Sequence, residues 1–474
     1  MSRMRSEILS NLLYITLGDA GSGILGFAAF AYLARILGPD TLGLIGFGAS
    51  AAALATPFVD YGLGFIGTRE VSRNPSSLTS YIKTILFSRS ILLLLAFVGF
   101  SVAAWFIVSG AKEGRILLLY FLTLLPSVFT LTWAYQALGQ TWWFSVEKLT
   151  QSILYLVLLL LLVHRAENYE RIPIAYTVSA LIPAFVVLVY YLSKENGPAD
   201  ALDIKKSAGL LKKSFPLFVP TFMSQINIPA ALLIVVTFGS LPEAGYFSAA
   251  SKVIVVSAVI PNLLWSSFYP SLSRAVAAGT AESRSTAATL YRYAVLIGIM
   301  PAFFGLMFPR QLVEILFGSS YGDSVVPLQL FSVVASLQFA SIVFTRILPA
   351  VGKESSFTRL VLFGSILQIV ACFLLVPRFG ASGAACSFIL SETAVAAAAL
   401  FLVRPMIGGS MLNGPIVGIA YLFLSYFLIV ALRISLHVPA IAEIVAVCAL
   451  YGVLLFSTSA ISMRDFQTHD SVTP

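Results

Sequence analysis

Long runs of apolar residues alternate with short polar segments along the whole chain. A helix that crosses a bilayer needs about 20 mostly apolar residues, and by this criterion the sequence predicts about fourteen spanning helices. The first run is longer than the apolar part of a secretory signal, about 7–15 residues, so it is predicted to be the first span. The predicted spans are residues 12–36, 42–67, 85–108, 116–138, 145–163, 172–192, 215–238, 246–272, 291–308, 325–351, 360–376, 382–403, 416–436 and 441–461.

Lysine and arginine set the orientation of these spans. With the N-terminus in the cytoplasm, most of the 29 lysines and arginines fall in cytoplasmic loops or helix ends, as the positive-inside rule requires. The sequence therefore predicts a multi-pass protein of the cytoplasmic membrane with both termini in the cytoplasm. Topology also explains the net charge of +8, so no nucleic-acid partner is expected.

Two similar turns indicate an internal repeat. Residues 37–43 read LGPDTLG and residues 239–245 read GSLPEAG, and each turn carries a proline, an acidic residue and then glycine. Parallel repeats of this kind place a substrate cavity at their interface. The sequence thus predicts a six-helix lobe at 1–192, a cytoplasmic linker at 193–213, a second six-helix lobe at 214–404, and two additional helices with a cytoplasmic tail at 405–474.

Composition excludes an ordinary soluble protein and gives no sign of an enzyme. Hydrophobic residues make up 58% of the chain and charged residues 11%, whereas a soluble domain is about 25% charged. The cysteines at positions 372, 386 and 448 are not spaced as a metal site. No segment outside the predicted spans reaches the ~50 residues of a small catalytic domain. We expect a protein that is not an enzyme and has no resident cofactor.

A few charged and polar residues lie inside the predicted spans. A charge in hydrocarbon costs at least about 2.5–3.5 kcal/mol, so it marks a cavity or a pairing partner. At a rise of about 1.5 Å per residue, Asp19 and Glu392 lie near mid-membrane and Lys252 lies nearer the outside. The residues predicted to line a substrate cavity are Asp19, Asp60, Gln225, Asn227, Lys252, Arg346 and Glu392.

Chemistry suggests roles for these charges. Asp19 and Lys252, from opposite halves of the chain, are candidates for a salt bridge across the cleft, either as a structural pair or as a gate. Lys252 and Arg346 are candidates for binding a phosphate, and Arg89 is a weaker one; the two arginines could instead extend to the cytoplasmic interface. The buried carboxylates of Asp19, Asp60 and Glu392 are candidates for a coupling ion, H⁺ or Na⁺.

An ordered set of motifs resembles a known transporter family. Besides LPEAGY at 241–246, the chain carries AVGK at 350–353, LVPRFGASGAA at 375–385 and the pair Ser391-Glu392. Together with the helix count and the two equal halves, these motifs resemble the polysaccharide flippase branch of the multidrug/oligosaccharidyl-lipid/polysaccharide (MOP) exporter superfamily. The resemblance extends over nearly the whole chain.

The resemblance implies a V-shaped, two-lobed, all-α fold with a central cavity that works by alternating access. It also implies a substrate, a lipid-pyrophosphate oligosaccharide of the undecaprenyl or dolichyl type, moved from the cytoplasmic to the outer leaflet. A cationic lumen would hold the anionic head; here Lys252 and Arg346 would provide it, and Asp19 and Glu392 would make its charge mixed. The other expected partners are membrane lipids, and the protein is expected to be a monomer.

Two other functions remain open from the sequence. A cation-coupled multidrug exporter of the same superfamily would require Asp19 or Asp60 to bind Na⁺ or H⁺. A membrane-embedded glycan polymerase or ligase would need a large external loop. The longest predicted outside loop, 163–171, is too short to form a domain, so this third function is disfavoured.

Overall fold

The computed structural model describes residues 2–107, 110–193, 204–257, 281–350 and 352–403, with isolated positions 447, 449–451 and 453. Within these ranges the chain is helical and contains no strand, which confirms the predicted all-α fold. Short 3-10 helices lie at Pro75–Ser77, Leu122–Leu124, Ala166–Glu170 and Ser319–Ser324. The α-helices are α1 (Ser2–Asp60), α2 (Leu63–Arg73), α3 (Leu78–Ile107), α4 (Ala111–Phe121), α5 (Leu125–Phe129), α6 (Thr132–Ala137), α7 (Trp142–Leu162), α8 (Arg171–Ser193), α9 (Ile204–Gln225), α10 (Asn227–Phe238), α11 (Leu241–Ser257), α12 (Ala281–Met307), α13 (Pro309–Leu316), α14 (Val325–Ala350) and α15 (Glu354–Val403).

Many of these helices are long and apolar enough to cross a membrane. Among the described residues eight helical stretches meet this condition, or nine if the bent pair α9–α10 is one span. Large apolar side chains such as Leu94, Leu95 and Ile366 are more than half exposed, a pattern that marks a surface in contact with lipid. The protein is therefore a multi-span membrane protein, as predicted. The predicted spans 416–436 and 441–461 lie outside the described residues, apart from a few positions of the second.

Glycine breaks divide the two longest helices. Gly38 in α1 has a φ of 70° and Gly380 in α15 has a φ of 53°, a left-handed region that glycine enters without steric cost. A Cβ atom on Gly380 would also lie 2.6 Å from a carboxylate oxygen of Glu243. Each break lies between two of the predicted spans.

The pair α9–α10 is bent by 55°. Pro216 and Pro220 lie inside α9, and Pro229 lies three positions after Ile226, the residue at the bend. Because proline has no N–H, Pro229 cannot bond the carbonyl of Gln225, four residues earlier, and this weakens the helix at that point. Helix α9 begins at Ile204, so it starts within the predicted linker.

The chain folds into two compact units. The first comprises Met1–Ala249 with Cys372–Ala384, and the second comprises Ala250–Ala371 with Ala385–Pro474. The lobe boundaries predicted from the repeat remain a prediction. A core of the first unit contains Leu63, Ile66, Val71, Ile82, Ile85, Leu131, Trp133, Ala134, Tyr135, Val187, Leu188, Tyr191 and Leu210.

The two similar turns pack against each other within the first unit. A Cβ atom on Gly43 would lie 1.8 Å from the carbonyl oxygen of Leu241, and one on Gly245 would lie 2.1 Å from that of Pro39. Each glycine thus contacts the carbonyl four residues before the other glycine, so the two contacts are reciprocal. Only a residue without a side chain fits at either position.

Close packing in the second unit also depends on glycine. A Cβ atom on Gly298 of α12 would lie 2.4 Å from the Cβ of Phe339 on α14. One turn further along α12 the backbone N–H of Ala302 donates to the Ser336 hydroxyl at 3.0 Å. This hydrogen bond gives a side-chain acceptor to the N–H that follows Pro301, a proline inside the helix.

Candidate functional site

Asp60 is the last residue of α1. The helix ends here because Tyr61 and Gly62 adopt positive φ angles of 49° and 74°, outside the right-handed helical region. A carboxylate at the carboxyl end of a helix faces the negative end of the helix dipole, which is unfavourable without a neighbouring cation. The position of Asp60 therefore requires a basic partner.

Arg89 on α3 is that partner. Its Nη2 lies 2.5 Å from Oδ1 of Asp60, and its Nη1 donates to the carbonyl oxygen of Thr130 at 2.8 Å. Thr130 follows the last residue of α5, where carbonyl groups lack intrahelical donors. Arg89, which is only 5% exposed, thus joins the carboxyl ends of two helices. The structure shows this arginine buried and paired.

The ion pair lines an open cavity of about 300 Å³. Ligand pockets in proteins span about 300–1,000 Å³, so this cavity is at the small end of that range. Its wall combines the two charged groups with hydroxyls, an amide and two aromatic rings. The lining residues are Asp60, Gly64, Phe65, Thr68, Arg89, Ser127, Thr130, Thr132, Trp133 and Gln136.

A second acidic residue lies behind the cavity and was not singled out by the sequence. Glu147 on α7 is 8% exposed and accepts a hydrogen bond of 2.6 Å from the Tyr135 hydroxyl. The same hydroxyl lies 3.0 Å from the Thr132 side chain, which lines the cavity. In the sequence Glu147 and Lys148 look like a charged helix end, but α7 begins earlier, at Trp142. The packing buries Glu147.

Asp19 on α1 forms an ion pair with α7. Its Oδ1 lies 2.5 Å from Nζ of Lys148, and the same ammonium lies 4.6 Å from the ring centroid of Phe144. Close approach of the two helices sets this contact, because a Cβ atom on Gly18 would lie only 2.9 Å from the Cα of Ser145. A mid-span carboxylate thereby obtains the charged partner that hydrocarbon demands.

The sequence did not single out this contact, because Lys148 stands at the start of a predicted span and looks like a topological charge. The structure places Lys148 against Asp19, since glycines on α1 let α7 approach. The bridge between Asp19 and Lys252 stays a prediction. Lys252 itself lies on α11 and is partly buried.

Glu392 in the second unit has polar, uncharged partners. The Ser341 hydroxyl on α14 donates to its carboxylate, and the side chain of Gln338 on the same helix also hydrogen-bonds it. Arg346 lies further along α14 with an exposed side chain. A carboxyl group held by a hydroxyl and an amide can keep these contacts in either protonation state.

Gln225 and Asn227 flank the break between α9 and α10. The Oδ1 atom of Asn227 is buried, and the described residues give it no hydrogen-bond partner. Broken spans with such polar groups mark binding sites in many transporters. The substrate-cavity role of these two residues, and of the other five predicted ones, remains a prediction. Among the described residues no group of three or more His, Cys, Asp or Glu side chains could hold a metal ion.

These features define a class of protein: a polytopic helical membrane protein whose helices hold ion pairs, one of which lines a small cavity, as in transporters. The chain belongs to the family described as "Polysaccharide biosynthesis protein", which matches residues 8–276. This family membership confirms the resemblance to polysaccharide flippases.

Curated relatives match half or more of the chain. The "Putative O-antigen transporter" of Escherichia coli (strain K12) is 20% identical over 410 residues, covering 85% of this chain and 98% of the relative. The "Capsular polysaccharide biosynthesis protein CapF" of Staphylococcus aureus is 22% identical over 249 residues, covering 51% of this chain and 62% of the relative.

Solved structures share the fold. A lipid II flippase MurJ in an inward closed conformation has a TM-score of 0.72 at 15% identity, covering 94% of this chain and 98% of that one. An inward-facing MATE family multidrug transporter of the MOP superfamily has a TM-score of 0.62 at 16% identity, covering 83% and 94%. These neighbours bear the names of transporters and flippases, not of enzymes.

Proposed function

We propose that the protein is a flippase that moves a lipid-linked oligosaccharide or polysaccharide repeat unit across the cell membrane by alternating access. The observation that carries this proposal is the family match over residues 8–276 in a chain of membrane-length helices. The O-antigen transporter relative, of which 98% is covered, supports a glycan substrate. Movement is proposed to run from the cytoplasmic to the outer leaflet.

The chemistry of the helices fits such a substrate. The lipid tail of a carrier can remain in the bilayer, but its glycan head must cross hydrocarbon, where polar groups without partners cost several kcal/mol each. The Asp19–Lys148 and Asp60–Arg89 pairs and the hydroxyl-lined cavity supply polar groups within the first unit. A path for a hydrophilic head needs groups of this kind.

Three further expectations belong to this proposal. The cycle is coupled to H⁺ or Na⁺, with Asp19, Asp60 and Glu392 as the carboxylate candidates. The protein acts as a monomer surrounded by membrane lipids. Both termini lie in the cytoplasm.

Depletion of the protein in its native cell tests the proposed function. We expect the lipid-linked repeat unit to accumulate on the cytoplasmic face of the membrane and the surface glycan to disappear. Extraction of the lipid-linked fraction, combined with labelling of surface glycan in intact cells, measures both. Re-expression of the wild-type chain should reverse both effects.

Normal surface glycan after depletion would overturn the proposal. Increased sensitivity of those cells to organic cations would then favour the multidrug exporter. In that case replacement of Asp19 or Asp60 by asparagine should abolish ion-driven efflux. Loss of surface glycan with unchanged drug sensitivity would exclude the exporter and support the flippase.

A further inference from the structure

The cavity beside Asp60 has little to offer an anionic ligand. The Nη2 atom of Arg89 is taken by the Asp60 carboxylate, and its Nη1 is taken by the Thr130 carbonyl. The two charges cancel, and the carboxylate would repel a phosphate placed beside the guanidinium. A pyrophosphate bound beside Arg89 would therefore face the Asp60 carboxylate at short range.

The hydroxyl groups of the wall are arranged as acceptors. The Ser127 hydroxyl donates to the carbonyl of Leu124 at 2.6 Å, and the Thr130 hydroxyl donates to that of Pro126 at 2.8 Å. The Thr68 hydroxyl is also bonded to backbone carbonyls. Since each hydroxyl has one proton, its oxygen lone pairs are what it can offer to a ligand. The wall therefore suits a ligand that donates several hydrogen bonds, which a phosphate does not.

Two aromatic residues complete the lining. Phe65 is 59% exposed and lines the cavity. Trp133 is 3% exposed, and its indole Nε1 has no hydrogen-bond acceptor among the described residues. That nitrogen is itself buried, so Trp133 contributes apolar surface and not a donor to the lining. Gln136, also in the lining, offers both a donor and an acceptor.

We propose that this cavity binds an uncharged sugar unit of the transported glycan and not its pyrophosphate. A sugar ring combines several hydroxyl donors, acceptor oxygens and an apolar face of C–H groups. The hydroxyl donors match the acceptor-rich wall, the acceptor oxygens match the Gln136 amide, and the apolar face matches the exposed Phe65 side chain. The inference rests on the proposed function only for the source of the sugar, since the cavity itself is formed within the first unit.

Saturation-transfer difference NMR on the purified protein in nanodiscs tests this inference, because it detects weak binding of free sugars. The probes are glucose and N-acetylglucosamine, with inorganic pyrophosphate and tetraphenylphosphonium as competitors. We expect saturation transfer to the sugar ring protons. Neither the anion nor the organic cation should reduce that signal.

Two variants link the signal to the cavity. Gln136→Leu should weaken sugar binding about threefold to tenfold, the size of one lost hydrogen bond, and Phe65→Ala should weaken it by removing the aromatic contact. Trp142→Ala is the control for the aromatic change, because Trp142 is 43% exposed and does not line the cavity. The control should bind like the wild type. Since Gln136 and Phe65 are both exposed, both variants should fold.

The outcomes separate this inference from the proposed function. If the wild-type protein restores surface glycan but gives no sugar signal, the cavity assignment is wrong and the flippase proposal stands. If pyrophosphate displaces the sugar, or the cavity variants bind sugar normally, the assignment is also overturned. Sugar binding that depends on Gln136 supports the cavity assignment, whatever the depletion experiment gives. Intact surface glycan after depletion would reject only the flippase proposal.

Discussion

At the residue scale, two ion pairs of the first unit differ in their surroundings. The side chain of Arg89 is 6% exposed beside Asp60 at 32%, whereas Arg115 is 65% exposed beside Glu170 at 36%. A charge removed from water depends on its partner, while an exposed pair is already solvated and contributes little. Comparing the two pairs therefore shows how burial changes the contribution of an ion pair to stability.

Replacement of Asp60 by leucine should destabilise the protein strongly. It leaves the buried Arg89 guanidinium without a counter-charge, a change that costs about 3–5 kcal/mol. Asp60→Asn should have a smaller effect, because an amide oxygen can still accept the hydrogen bond. The thermal unfolding midpoint of the purified protein in detergent measures both effects.

Glu170→Leu is the control for this comparison and should change the midpoint little, because its partner remains hydrated. The double variant Asp60→Leu, Arg89→Leu should recover part of the lost stability, since it removes the unpaired charge. Equal midpoints for Asp60→Leu and Glu170→Leu would show that the Asp60–Arg89 pair is not buried as described.

At the element scale, small residues decide which helices can meet. Gly18 lets α1 approach α7 and so brings Asp19 to Lys148. Reciprocal contacts of Gly43 and Gly245 hold the two similar turns together. Helices without a hydrophobic driving force between them in lipid associate through such close backbone approach. Gly18 therefore determines which helix the neighbouring Asp19 carboxylate can contact.

Gly245→Ala should lower the thermal midpoint. The new Cβ would lie 2.1 Å from the carbonyl oxygen of Pro39, so the turns would have to move apart, at about 1–3 kcal/mol. Gly26→Ala is the matched control, because nothing lies within 4 Å of its Cβ position. It should leave stability unchanged or raise it by about 0.5–1 kcal/mol, since alanine favours helix.

If both alanine variants shift the midpoint equally, the close packing of the two turns is incorrect. A drop for Gly245→Ala alone would support it. Gly43→Ala provides an independent repeat of the test, because its Cβ would meet the Leu241 carbonyl at 1.8 Å.

At the scale of the whole molecule, orientation in the membrane follows from the distribution of basic residues. Lys112 is the second residue of α4, and Lys353 lies just before α15. Both side chains are exposed. The positive-inside rule assigns Lys353 to the cytoplasm and Lys112 to the outside. Labelling at these two positions can therefore measure on which side of the membrane each one lies.

Cysteine labelling tests that assignment. In a variant whose native cysteines are replaced by serine, Lys112→Cys should react with a membrane-impermeant maleimide in intact cells. Lys353→Cys should react only after the membrane is permeabilised. The opposite pattern would invert the topology, and labelling of both sites in intact cells would contradict the number of spans between them.

The sequence by itself determined the all-α fold, the membrane environment and the family, because these depend on run lengths, composition and local motifs. The breaks at Gly38 and Gly380 also coincide with gaps between predicted spans, since glycine tolerates left-handed backbone. Because a charge in hydrocarbon needs a partner, the sequence also identified the charged residues Asp19, Asp60 and Glu392, but not their partners.

Only the tertiary structure decided which partners meet. Lys148 and Arg89 are far from Asp19 and Asp60 along the chain. In addition, a charged residue near the end of a predicted span looks the same in the sequence whether water or protein surrounds it. Glu147 was missed for that reason. Pairing depends on which helix faces touch, and glycine contacts between α1 and α7 determine that, together with the turn after Asp60 that directs its carboxylate toward α3.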